Sequence, residues 1–266
     1  MSYKITAVSF AKNFDQGANT LKRALNNYID DPSVDNIHDI RTATRKLQAS
    51  FRLLPKKMRK KNPIREFMEQ SKKLFKINTE TRDLDIIQGR LEKYASHRGY
   101  KDLVMMMRSK RNNRVKEAKK VAVILDKVKI PSIRAQDIQQ AKLQARFDKS
   151  VRRLSDKIEK ILPVVADDES KVKELHTLRK DCKKLRYFLE LSAEDKQITS
   201  RVSKLKEWQS LLGMICDIDI TIEYLNYVKS ALPFKDVIQH EVGERKREFT
   251  LFVNASKSDK QLVLAK

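Results

Sequence analysis

Glycine and proline are scarce in this chain, with five and six in 266 residues. Turn-rich β architectures draw heavily on both, so their scarcity argues against a sandwich or barrel and for long helices on short joints. Cysteine is scarcer still. Cys182 and Cys216 are too few for a disulfide framework and lack metal-type spacing, so neither a cofactor nor a metal is expected. Apolar runs fall well short of the roughly 20 residues of a membrane span. The opening MSYKITAVSFAKN lacks the apolar stretch of a secretory signal. The expectation is a soluble cytoplasmic protein with no membrane partner.

Acidic residues are also outnumbered. Fifty-eight Lys and Arg face 35 Asp and Glu, a formal net charge of +23. Such a surplus repels itself in the folded state and favours polyanionic partners: nucleic acid, an acidic surface or a phosphate polymer. Hydrophobic residues still make up 40% of the chain, enough for a buried core and unlike a disordered polyelectrolyte.

Apolar periodicity predicts eight helices, at about 8–29, 34–54, 63–95, 100–129, 133–162, 168–192, 196–229 and 234–255. The joints fall at Pro32, Pro55, Pro63, Gly99, Pro131, Pro163 and Pro233. The order repeats: segments one to four and five to eight correspond, and TRDLDIIQGRLEKY (81–94) matches CDIDITIEYLNYV (216–228). The expected fold is therefore all-α. Two four-helix units, residues 1–130 and 131–266, packed about a pseudo-twofold axis, are the simplest organisation.

The segment IHDIRTATRKLQASFRLL (37–54) carries the clearest pattern. At about 100° per residue, His38, Arg41, Arg45, Gln48 and Arg52 fall within an arc of roughly 80°. Ile40, Ala43, Leu47, Phe51 and Leu54 lie opposite. LHTLRKDCKKLRYFLE (175–190) repeats the design, with His176, Arg179, Lys183, Arg186 and Glu190 on one face and Leu178, Leu185 and Leu189 on the other. Lys46 and Lys184 widen the two stripes. Like charges three or four residues apart destabilise a helix by about 0.2–0.5 kcal/mol per pair. A merely solvated face would intersperse acids, and these stripes are nearly free of them. Cationic neighbours are expected to lower the pKa of both histidines.

These two motifs, with the paired RDLD and CDID segments, resemble the CHAD family, the conserved histidine α-helical domain. The resemblance rests on His38, Arg41, Arg45, His176, Arg179, Lys183, Leu185, Arg186, Tyr187 and Glu190, with Asp83, Asp85, Asp217 and Asp219 in support. It implies two pseudo-twofold-related four-helix bundles whose basic residues line a central groove or channel. It also implies binding of inorganic polyphosphate, association with polyphosphate-rich granules and no catalytic role. Two departures make the half-sites unequal: Cys216 stands where the first repeat has Arg82, and Gln48 where the second has Arg186.

The expected polyphosphate-binding set is His38, Arg41, Arg45, Lys46, Arg52, His176, Arg179, Lys183, Lys184 and Arg186. Lys72, Lys76, Arg82, Arg108, Arg111, Arg114 and Lys206 are candidates for additional lining. Asp83, Asp217 and Glu190 are expected to brace neighbouring cations, and no metal role is expected for acids at i and i+2, which point apart on a helix. A phosphate polymer has no bases to stack on, and the stripes carry no interleaved aromatics, which disfavours single-stranded nucleic acid. Helix-turn-helix and zinc-finger spacing is absent. An enzyme acting on phosphate esters or anhydrides is the third reading. It lacks a glycine-rich phosphate loop and HExxH, and His97 and His240 stand alone in the sequence.

Overall fold

The computed structural model describes residues 3–192, 196–228 and 234–264. Among the described residues there are nine α-helices and no strand. They are α1 (Ala7–Asp30), α2 (Val34–Leu53), α3 (Lys56–Arg59), α4 (Ile64–Leu91), α5 (Tyr100–Asp126), α6 (Gln140–Asp167), α7 (Val172–Leu189), α8 (Lys196–Val228) and α9 (Lys235–Leu264). Short 3-10 turns follow α4 at Glu92–Tyr94 and precede α6 at Ala135–Asp137. No helix among the described residues is long and apolar enough to cross a membrane.

Eight of these helices answer the eight expected segments, and their ends move for identifiable reasons. Pro163 does not end α6, which runs on to Asp167. A proline in a helix interior costs about 3 kcal/mol, and the turn beyond it buries Val165 completely. The expected start of α6 at about 133 is displaced to Gln140. Asp15 on α1 accepts from the Ser132 hydroxyl at 2.9 Å and the Ile133 amide at 3.1 Å, which ties that stretch to α1 instead. The α6 side chains Gln140 and Gln144 then accept the amides of Ala7 and Ile5. Helix α9 continues past the expected 255 because Ser256, Asp259 and Val263 are buried. Gly99, with φ of 88°, precedes α5 in the left-handed conformation that glycine adopts without a Cβ penalty. Pro233 and the end of the segment expected at 196–229 lie outside the described residues.

The chain divides into two compact units. The first comprises Ile5–Gln88 and Val104–Arg146; the second comprises Met1–Lys4, Gly89–Leu103 and Phe147–Lys266. Each takes residues from both sides of Pro131. In the first, α1 packs on α2, and Phe10, Phe14, Leu21, Leu25 and Tyr28 are fully buried along one face of α1. Burying each such side chain stabilises by about 1.5–3 kcal/mol. In the second, α8 packs between α7 and α9, with Trp208 buried edge-on against Phe252 at 5.9 Å.

An arginine is enclosed in the second unit. Arg201 is 1% exposed and donates to the Val263 carbonyl, the Tyr3 hydroxyl and the Ser155 hydroxyl at 2.8–2.9 Å. It satisfies a carbonyl in the last turn of α9, which has no partner within the helix. Arg201→Ala should destabilise the chain by about 2–4 kcal/mol through lost hydrogen bonds and a cavity. A urea unfolding midpoint unchanged from the parent would contradict this.

Candidate functional site

Helix α2 begins where Ser33 accepts the Asn36 amide and Asp35 supplies an acid to the first turn. Ile40, Ala43, Leu47 and Leu54 are buried as the periodicity predicts, and Phe51 is half-buried. His38, Lys46 and Arg52 are exposed, and Arg45 is half-buried. Arg41 departs from expectation: it is only 7% exposed. Its Nη1 donates to the Phe75 carbonyl and to Thr79 Oγ1, both at 3.0 Å, and its guanidinium lies 4.3 Å from the Phe75 ring centroid. Arg41 is thus built into the α2–α4 contact of the first unit. Arg45 covers the same ring at 4.9 Å, and Lys72 lies 5.1 Å from the Phe51 ring.

Helix α7 carries the second stripe. Leu178, Leu185 and Leu189 are fully buried, and His176, Arg179, Lys183, Lys184 and Arg186 are half-buried. Arg179 lies beside Gly213 of α8, where a Cβ would meet its Nη2 at 3.7 Å, and pairs with Asp217 at 3.6 Å. Arg186 pairs with Glu190 at 2.8 Å and covers the Tyr187 ring at 4.7 Å. Lys184 is held by buried Asp181 at 2.7 Å.

Sequence reasoning missed the device that positions each stripe. In the first unit Arg111 of α5 donates Nε to Asp85 at 2.6 Å and Nη2 to the Pro32 carbonyl at 3.0 Å, just ahead of α2. In the second, Arg245 of α9 donates Nε to Asp219 at 2.5 Å and Nη2 to the Glu169 carbonyl at 3.0 Å, just ahead of α7. The matching pairs share an offset of 134 residues, 85 to 219 and 111 to 245, and that was the available signal. Arg111 is therefore a clamp rather than a lining residue. Asp85 and Asp219 hold these two arginines, Asp217 pairs with Arg179, and Asp83 is half-buried.

Of the other lining candidates, Lys72, Lys76, Arg108 and Lys206 are exposed and Arg82 is half-buried. Arg114 is taken up by Glu80 at 2.6 Å and Glu117 at 3.0 Å. Lys110, also paired with Glu80, is the main cause holding that carboxyl below its usual range. His97 and His240, isolated in sequence, both have partners in the second unit. His97 contacts Asp236 at 3.1 Å and stacks on Phe234, and His240 meets the Tyr94 hydroxyl at 2.6 Å. Tyr94 also donates to buried Glu241, which Arg90 and Lys93 neutralise.

The two stripe histidines differ. His38 is exposed, with Thr42 at 3.4 Å from its Nε2. His176 Nε2 sits 3.0 Å from Asp219 Oδ2, the oxygen that Arg245 leaves available. The expected lowering of its pKa is reversed. Asp219 first, and Cys216 next, raise it from 6.5 to about 9 against the opposing effect of burial. His176 is consequently a cation at neutral pH. Because its folded pKa lies above the unfolded value, its stabilising contribution is complete below pH 6.5 and is lost as pH rises through about 9. In metal-free protein, the stability difference between the parent and His176→Gln should shrink across that window. Urea unfolding at a series of pH values measures it, and a pH-independent difference would refute the assignment.

A family model described as "CHAD domain" matches residues 14–226. Among solved structures, the CHAD domain from the plant Ricinus communis superposes with a TM-score of 0.66 at 14% identity, covering 98% of this chain and 92% of that one. PptA from Streptomyces chartreusis gives a TM-score of 0.58 at 13% identity, covering 99% and 100%. No curated protein matches the chain. The two structures agree with the fold, and the family model spans the histidine helices and both clamp aspartates. The chain belongs to the CHAD domain family.

Proposed function

We propose that this protein binds inorganic polyphosphate through the basic faces of α2 and α7, as a binding module without a catalytic step. The observation that carries the reading is the paired set of stripes. Each unit presents guanidinium and ammonium groups in helical register on a helix whose start is clamped from behind. Arg45, Lys46 and Arg52 offer this chemistry on α2; His176, Arg179, Lys183 and Arg186 offer it on α7. Guanidinium forks suit phosphate oxygens, often two at a time. The net charge of +23 draws a polyanion toward either face.

Aromatic placement supports a ligand without bases. Phe51, Phe75 and Tyr187 each lie under one of the protein's own cations. Such rings are poor platforms for nucleobases, which single-strand binders stack on exposed aromatics. Granule association would follow from the same affinity.

If about six phosphates are neutralised, log K should fall against log[salt] with a slope near −4, an affinity loss of about 10²–10³-fold between 50 and 200 mM salt. Replacing Arg45, Lys46, Arg179 and Lys183 with alanine should flatten the slope to about −1.4 while circular dichroism stays unchanged. Arg41 is left in place because it is part of the packing. Calorimetric titration against polyphosphate of defined length provides the measurement, with single-stranded RNA as competitor and phosphate release in Mg²⁺ as a check on turnover. Unchanged polyphosphate binding by the fourfold variant would reject the site. Tighter RNA binding would reject the ligand, and steady release of phosphate would reject the non-catalytic role.

A further inference from the structure

At one point in the second unit the chemistry departs from phosphate binding. Cys216, where the first repeat has Arg82, is 2% exposed on α8, one turn before Asp219 and on the same face of the helix. His176 reaches over from α7. One ligand atom from each of His176, Cys216 and Asp219 lies within 4.8 Å of the other two. An imidazole nitrogen, a thiol sulfur and a carboxylate oxygen so gathered are the donor types that hold zinc-class ions at about 2.0–2.3 Å. We propose that His176, Cys216 and Asp219 form a three-ligand site for a divalent transition-metal ion of this class.

The surroundings meet the further requirements of such a site. Asp219 is oriented by Arg245, which binds Oδ1 and leaves Oδ2 toward His176, the kind of outer hydrogen bond that fixes ligating carboxylates. The clamp, which braces the start of α7, thus also aims a ligand. Cys216 and Asp219 are nearly buried and His176 is half-buried, so an ion can arrive from the histidine side. Binding would displace the proton shared by His176 and Asp219 and release the Cys216 thiol proton. Mixed nitrogen, sulfur and oxygen donors favour zinc-class ions over calcium or magnesium, which take oxygen ligands.

The other cluster of possible ligands, His240, Glu241 and Glu244, carries no such inference. Arg90 and Lys93 already occupy both of its carboxylates. The first unit lacks a counterpart as well, because Arg82 replaces the thiol and His38 is exposed.

The test is a titration of the full metal-free chain with Co²⁺, followed by Zn²⁺, in phosphate-free buffer, so that its outcome is independent of polyphosphate binding. One equivalent of Co²⁺ should produce thiolate-to-cobalt charge-transfer absorption, and Zn²⁺ should abolish it. Cys216→Ser should remove that absorption, and His176→Gln should weaken binding by about 100-fold, the upper end of what loss of a mere supporting group costs. Cys182→Ser, which alters the other thiol, should leave both unchanged. Should Cys216→Ser fail to fold, retention of the band by Cys182→Ser assigns it to Cys216, the other thiol of the chain. Absence of the charge-transfer band, or its persistence in Cys216→Ser, would overturn the proposal.

Discussion

Each of the two stripe helices, α2 and α7, depends on one arginine behind it. Arg111 and Arg245 each join a buried aspartate to a backbone carbonyl immediately ahead of α2 or α7. Breaking a buried pair of this kind by removing one partner costs about 3–5 kcal/mol, because the remaining charge has no water to turn to. The clamp therefore sets where the stripe helix starts and how it is rotated about its axis. Rotation decides which side chains reach solvent. A ribbon of cations repels itself, so its helix needs stabilisation from outside the ribbon, and the clamp supplies part of it.

The two units use the same device with different results. In the first, Asp85 serves Arg111, while Oδ2 of Asp85 has no hydrogen-bond partner among the described residues and His38 is exposed. In the second, the equivalent oxygen of Asp219 takes His176 and keeps it protonated. Arg41 and Arg179 occupy matching positions in sequence but different environments. One is sealed against Phe75 and Thr79; the other is half-exposed beside Gly213 and Asp217. Gly213, where the first repeat has Thr79, offers Arg179 no hydroxyl of the kind that accepts from Arg41. Small changes on the facing helix thus convert one arginine from a packing residue into a candidate contact.

Much of this was legible in advance. The helices follow from the apolar period, and the stripes from the spacing of arginines opposite buried leucines. His38, Lys46, Arg52, Lys183 and Arg186 all fall on the faces that the wheel predicts. The misreadings share a cause. Periodicity places a residue on a face but does not say what the neighbouring helix offers there. Arg41 sits at the edge of its arc, within reach of the α4 carbonyls. Arg111 falls among the lining candidates because a basic residue in a helix pattern looks the same whether or not an aspartate waits across the contact. Pro163 reads as a stop because its local cost is visible in sequence, whereas the burial of Val165 in the turn beyond it is not.

The amino-acid sequence by itself determined the all-helical class, the correspondence of the RDLD and CDID segments and the two cationic stripes, since all three are written in the order of residues along one chain. Tertiary structure alone decided which cations are buried, which histidine is held protonated and that a thiol from α8 stands beside an imidazole from α7. Those outcomes depend on distances between helices remote in sequence, where electrostatics and desolvation act over a few ångströms and spacing along the chain carries no such information.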